Sequence, residues 1–193
     1  MTSSPLTQRA GVLVAVCDLI TQGRIPDATD VLNADYPAVV PPLQPKPIST
    51  RRLMQLFHRD GFTDRYSGER LVYPGALIAL SILLGPSFPY HRNWKQSETH
   101  QAFYELYPTV DHVIPLARGG LNEDSNLVTT SMLRNSTKAN WLLEELGWPS
   151  ERAPIVEGWD GLLGWFEEAC TAHEVVRRDK AVQKWRRASM EAG

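Results

Sequence analysis

The chain has 193 residues, enough for a single hydrophobic core or for a small catalytic domain with extensions. Hydrophobic residues make up 42% and charged residues 22% of it, which excludes a disordered or fibrous protein. The two cysteines, Cys17 and Cys170, lie too far apart in sequence for a disulfide framework or a Cys-x-x-Cys metal site.

We expect neither a membrane-spanning helix nor a secretion signal in this sequence. No apolar run approaches the ~18 residues that a membrane-spanning helix needs. The first residues lack the basic and apolar regions of a secretion signal. We therefore expect a cytoplasmic protein without a membrane partner.

The formal net charge of −2 does not by itself favour nucleic acid as a partner. The charge is unevenly distributed, however, because six basic residues crowd the segment 177–187. At helical spacing, Arg177, Lys180, Lys184 and Arg187 share one face, opposite an apolar stripe. This basic face either contacts a DNA backbone or is a solvated surface over buried residues.

Hydrophobic periodicity, capping residues and turn residues predict the elements in chain order. The N-terminal part is expected to contain helices at 7–21 and 28–33, an extended proline-rich linker at 36–47, and a helix from Ser49 or Thr50 to His58. The middle is expected to contain a tight turn at 62–68, a strand at 70–73, and helices at 74–84 and 97–106. The remainder is expected to contain strands at 109–114 and 127–130, a helix at 131–146, and one long helix from about Asp160 onwards.

This order predicts an α+β fold, in which a small strand–strand–helix core is embedded in mostly helical surroundings. The expected divisions are an N-terminal helical extension with its linker (1–47), a central domain (48–148), and a C-terminal helical extension with the basic face (149–193).

The segment from Asp111 to Asn135 contains the residues best suited to chemistry. Asp111 on a strand and Asn135 on the following helix offer oxygen ligands for a hard cation such as Mg²⁺ or Mn²⁺. The imidazole of His112 suits deprotonation of an attacking water, provided that strand twist brings it to the same phosphate as Asp111. Asn126 is placed to pin the intervening loop and to orient His112. The alternatives are a turn residue at Asn126 and an ordinary polar helix residue at Asn135.

This pattern resembles the HNH endonuclease family, whose ββα-metal core has the same arrangement. Asn135 stands where many members have their last histidine, so the chain looks like an H-N-N variant. The resemblance implies hydrolysis of DNA phosphodiester bonds to 5′-phosphate and 3′-hydroxyl ends, by a nuclease domain at 48–148. It also implies Asp111 and Asn135 as ligands of a divalent cation, His112 as general base and Asn126 as a structural residue. The matching residues are Asp111-His112, Pro115, Gly119-Gly120, Asn126-Leu127 and Arg134-Asn135 with Lys138.

Many members of that family also hold the hairpin and helix together with a zinc knuckle of two Cys-x-x-Cys pairs. The corresponding positions here are Asp64-x-x-Ser67 and Ser131-x-x-Arg134, which supply no thiolate, so structural zinc is not expected. We expect instead an ion pair between Asp64 and Arg134 at this place.

DNA is the expected partner, with Arg118, Arg134 and Lys138 as candidate contacts to it. For Lys138, a solvated helix face is an equal alternative. Cutting of both strands by one small site would require a homodimer. Two other functions remain open at this point: a non-catalytic DNA-binding module built on the same ββα scaffold, and a helical interaction protein with an incidental resemblance.

Overall fold

The computed structural model describes residues 5–38 and 47–192. Over these ranges the fold is mixed, with nine α-helices and one two-stranded antiparallel sheet. Within the same ranges, no helix combines the length and apolar character needed to cross a membrane. The helices are α1 (Pro5–Thr21), α2 (Ile25–Asp35), α3 (Thr50–Arg59), α4 (Pro74–Leu84), α5 (Ala102–Leu106), α6 (Met132–Lys138), α7 (Leu163–Ala172), α8 (Glu174–Arg178) and α9 (Lys180–Ala192), and the strands are β1 (Pro108–His112) and β2 (Leu127–Ser131).

Capping residues explain where the central helices begin. The Ser49 hydroxyl accepts a hydrogen bond from the Arg52 amide at 3.2 Å, so α3 starts at the predicted cap. Pro74 occupies the first turn of α4, where its missing N–H costs nothing, and Gly85 ends this helix with a φ of 52°. The predictions for both helices are confirmed.

One large hydrophobic core joins the central and C-terminal parts of the chain. Met54 and Phe57 of α3 meet Tyr73 at the start of α4, and Val182 and Trp185 of α9 complete the cluster. Burial of each such side chain contributes about 1.5–3 kcal/mol. Residues 149–193 therefore share a core with residues 48–148 rather than forming one of their own.

The prediction of a single long C-terminal helix is wrong. The chain leaves helical geometry at His173 and again at Asp179, which separates α7, α8 and α9. The Asp179 carboxylate accepts hydrogen bonds from the amides of Ala181 and Val182 and so caps α9. The two breaks allow all three helices to bury residues in the common core.

The sheet is a hairpin in which Asp111 lies opposite Val128 and His112 lies opposite Leu127. Helix α6 follows β2 directly, because the Ser131 hydroxyl caps it by accepting a hydrogen bond from the Arg134 amide at 3.1 Å. Both strands pack against α6 and α3. The strand expected at 109–114 begins one residue earlier, at Pro108, and ends at His112.

Three other predicted elements differ from the structure. The expected strand at 70–73 is reduced to a bridge between Thr63 and Arg70, since the next amides bond to carbonyls of other segments. The expected helix at 97–106 forms only over α5, preceded by a short 3₁₀ turn. The expected helix at 131–146 ends at Lys138, where Ala139 adopts a φ of 46°. Of the predicted linker, residues 39–46 lie outside the described part of the chain.

Candidate active site

The carboxylate of Asp111 lies in the interior, with 7% of the residue exposed. Its Oδ2 accepts a hydrogen bond from the Tyr66 hydroxyl at 2.6 Å and pairs with the Lys138 ammonium at 2.9 Å. Burial, and then the charge of Asp111, raise the pKa of Tyr66 above its ordinary value, so its hydroxyl stays protonated and donates. Both partners engage the same carboxylate oxygen, and among the described residues none donates a hydrogen bond to Oδ1.

His112 ends β1 and is partly exposed. Its Nε2 lies 3.0 Å from Oδ1 of Asn122, in the loop between the strands. An amide oxygen can only accept, so Nε2–H is the donor in this contact. In the neutral imidazole that makes this contact, the lone pair is at Nδ1, the nitrogen that can accept a proton.

Asn126 holds the two sides of the loop between the strands together by hydrogen bonds. Its Oδ1 accepts from the Ile114 amide at 2.8 Å, and its Nδ2 donates to the carbonyls of Ile114 at 2.9 Å and Leu121 at 2.8 Å. The loop approaches itself so closely at Gly120 that a Cβ atom there would lie 1.9 Å from the Ile114 carbonyl oxygen. Glycine is therefore required at position 120, and Asn126 fixes the loop that carries Asn122.

Asn135 faces β1 from α6. Its Nδ2 donates to the Thr109 hydroxyl at 3.1 Å and to the Val110 carbonyl at 3.3 Å. A carbonyl can only accept, so the amide nitrogen must face the strand and Oδ1 points elsewhere. One helical turn further on, the Lys138 ammonium donates to the His112 carbonyl at 2.7 Å. Helix α6 thus lies along the part of β1 that carries Asp111 and His112.

Two side-chain oxygens near α6 have no hydrogen-bond donor among the described residues. Oδ1 of Asp111 and Oδ1 of Asn135 are oxygen ligands of the kind that Mg²⁺ and Mn²⁺ prefer, and Mg²⁺ usually keeps several waters beside one or two protein ligands. Residues 5–38 and 47–192 contain no group of three or more His, Cys, Asp and Glu side chains that could hold a metal ion.

Asp64 joins the turn at 62–70 to the start of α6 and is completely buried. Its Oδ1 accepts from the amides of Tyr66 and Ser67, at 3.0 and 3.3 Å. Its Oδ2 lies 3.2 Å from Nε of Arg134, so the pair expected at the zinc-knuckle positions is in contact. Oδ2 also accepts from the Thr130 hydroxyl at 2.9 Å and the Ser131 amide at 3.0 Å.

The three expected DNA contacts are all engaged by other protein groups. Lys138 is fully buried, so its ammonium lies neither on a solvated face nor on a surface that DNA reaches; both expectations for it need correction. Arg134 divides its guanidinium between Asp64 and Glu69. Arg118 pairs with Glu145 at 2.9 Å.

The pKa of Glu145 supports this assignment of Arg118. Burial alone would raise that pKa, but the Leu142 amide and the guanidinium groups of Arg118 and Arg9 lower it below its ordinary value. The positive charge of Arg118 is therefore partly neutralised by Glu145.

Two residues of this site were missed at the sequence level. Tyr66 comes from a turn 45 residues before Asp111, and no local pattern links them. Asn122 belongs to a polar loop in which its type is unremarkable, although Asn and Asp side chains often bond nearby groups in such loops.

Comparisons of the chain with models of known families, with curated proteins and with solved structures gave no match.

Proposed function

We propose that the protein is a metal-dependent endonuclease that hydrolyses DNA phosphodiester bonds, built on an HNH-type ββα core of β1, β2 and α6. The observation that carries the proposal is the packing of α6 along β1, with Asn135 and Lys138 against the strand that ends in Asp111 and His112. Asp111, His112, Asn126 and Asn135 have the spacing typical of this chemistry, and they lie on a hairpin, its loop and the helix that follows.

Asp111 and Asn135 would hold the divalent cation through their Oδ1 atoms. When bound, the cation supplies Lewis-acid stabilisation of the charge on the phosphate and the leaving oxygen. Tyr66 and Lys138 orient the Asp111 carboxylate through its other oxygen. The strand contacts of the Asn135 amide orient the second ligand.

His112 is the general base in this proposal. Nδ1 accepts the proton of the attacking water, while the Nε2–H bond to Asn122 keeps the ring in the required tautomer and position. The hydroxide formed attacks phosphorus in line with the 3′-oxygen, and the P–O3′ bond breaks. The 3′-oxygen takes a proton from solvent and leaves as a 3′-hydroxyl, the 5′-phosphate stays on the other fragment, and His112 returns its proton to solvent.

A non-catalytic DNA-binding module is the second candidate, and one observation favours it. The Lys138 ammonium already neutralises Asp111, as it would in a protein that had lost the need for a cation. This candidate predicts binding of DNA without cleavage in any metal.

The proposal is tested by incubating supercoiled plasmid with the purified protein in Mg²⁺, in Mn²⁺ and in EDTA. We expect nicked circles with either cation and none in EDTA. The nicks should be resealed by a DNA ligase, which requires 5′-phosphate and 3′-hydroxyl ends. If the rate of forming linear product rises more steeply than in proportion to protein concentration, two copies act together.

Asn122 is a positioning residue in this mechanism, and its role can be tested separately. Asn122→Leu removes the acceptor for Nε2–H, so we expect kcat for nicking to fall about tenfold or more with little change in KM. Asn122→Asp keeps an acceptor oxygen and should restore most of the rate. Equal rates in all three proteins would contradict the role of Asn122, while a merely structural role would lower stability in both variants.

A further inference from the structure

A groove of about 360 Å³ lies between the first turn of α3 and the exposed face of α9. Arg51 lines it from α3, and Lys180, Lys184 and Arg187 line it from α9. One acidic side chain, Glu191, lies at its end. We call this feature the α3–α9 groove.

The charges of the groove are not neutralised by the protein. Among the described residues, none of its four basic side chains forms a salt bridge, and all four are exposed. Their neighbours behave differently, since Arg52 pairs with Asp124 and Arg186 pairs with Glu167. The groove therefore presents four positive charges and the one negative charge of Glu191 to solvent, in a protein whose net charge is −2.

The groove is preorganised by the core beneath it. Lys180, Lys184 and Arg187 follow helical spacing and share one face of α9. The opposite face is fixed by Val182 and Trp185, which are 0% and 7% exposed. This burial also removes the apolar surface that a helix needs to enter a membrane interface. The groove is thus suited to a chain of anionic groups rather than to a lipid surface.

The groove is linked to the candidate active site through α3. Arg51 faces the groove, while the next residue, Arg52, pairs with Asp124 in the loop that carries Asn122. Arg52 lowers the pKa of Asp124 below its ordinary value by hydrogen bonding to its carboxylate. One turn of α3 therefore contacts both the groove and the loop beside His112.

We propose that the α3–α9 groove binds the phosphodiester backbone of DNA beside the segment that is cut. This proposal rests on the proposed function, which names DNA as the ligand, but it places DNA binding at a site separate from the candidate active site. Arg118, Arg134 and Lys138 are engaged within the protein, so binding energy must come from cations elsewhere. Each phosphate neutralised releases condensed counterions, so the four basic side chains of the groove supply affinity without sequence preference.

The test measures binding of a fluorescent DNA duplex by anisotropy in EDTA, over a range of NaCl concentrations. The full chain carries His112→Ala, so no cleavage interferes. We expect Lys180→Gln with Lys184→Gln to weaken binding about tenfold and to lower the slope of log K against log salt by about 2. The break at Asp179 places Arg177 on α8, so it does not share the face of Lys180, Lys184 and Arg187 that the sequence predicts and does not line the groove. The control, Arg177→Gln with Arg178→Gln, therefore removes the same charge outside the groove and should change affinity less than about twofold.

Equal losses in both double variants would show an effect of net charge alone and would overturn the site. Unchanged binding in the groove variant would also overturn it, as would a loss seen with anionic vesicles but not with DNA. Thermal melting of each variant, expected to match the parent, shows that lost binding does not come from unfolding. If the groove variant loses DNA binding and the wild type does not cut DNA, the groove still binds DNA and only the nuclease mechanism is contradicted.

Discussion

Asp64→Ala is expected to lower the free energy of unfolding by about 3–5 kcal/mol. The carboxylate is fully buried and accepts five hydrogen bonds, from three backbone amides, the Thr130 hydroxyl and the Arg134 guanidinium. Removal leaves the donors of Tyr66, Thr130 and Ser131, all buried residues, without their acceptor. The change is measured by equilibrium denaturation in urea.

Glu69→Gln provides the matched control, because Glu69 pairs with the same Arg134 at the same distance of 3.2 Å. Its side chain is 70% exposed, so its loss should cost less than about 1 kcal/mol. Equal effects of the two substitutions would mean that Asp64 does not hold the turn at 62–70 to α6.

Lys138→Met is expected to lower the free energy of unfolding by a similar amount, about 3–5 kcal/mol. The substitution keeps the length of the side chain but removes the ammonium that pairs with Asp111, which leaves a buried carboxylate with Tyr66 as its remaining partner. The measurement is again denaturation in urea, made in EDTA so that bound cations do not contribute.

The double variant Asp111→Asn with Lys138→Met separates the ion pair from the packing of its methylene groups. Both charges are gone, so the double variant should be more stable than the sum of the two single effects predicts, with a coupling of about 1–3 kcal/mol. Additive effects would show that the two groups do not stabilise each other.

The parts of the fold that local signals determine were predictable. Ser49 as a cap placed the start of α3, and Pro74 placed the start of α4. The same kind of signal was available at Asp179, which caps α9, but the continuous helical periodicity around it concealed the break. A capping residue within a periodic segment can therefore mark the start of a new helix.

The end of α6 depends on tertiary packing instead. The sequence from 131 to 146 has a helical pattern, yet the chain turns at Ala139 and Leu143 then packs against Tyr66 and Val128. Similarly, the amides expected to form a strand at 70–73 bond to Leu106 and to Gly161. Such contacts join segments far apart in sequence, and no local pattern contains them.

The candidate site shows the same division. Asp111, His112, Asn126 and Asn135 were proposed from their types and spacing, because the proposed chemistry needs an acid, a base and fixed oxygen donors; the structure places them on β1, in the loop before β2 and on α6. The environment of Lys138 was not predictable, since lysine is almost never fully buried unless it is paired. Its partner becomes visible only when α6 is placed against β1.

The most direct test compares wild type with His112→Ala in nicking of supercoiled plasmid, in Mg²⁺ and in Mn²⁺. Loss of a general base costs about 10²–10⁴-fold in rate, so we expect wild type to nick the plasmid and the variant to be slower by that factor. DNA binding in EDTA should be the same in both. Equal rates in the two proteins, or binding of DNA by wild type without cleavage in either metal, would contradict a nuclease that uses His112 as its base.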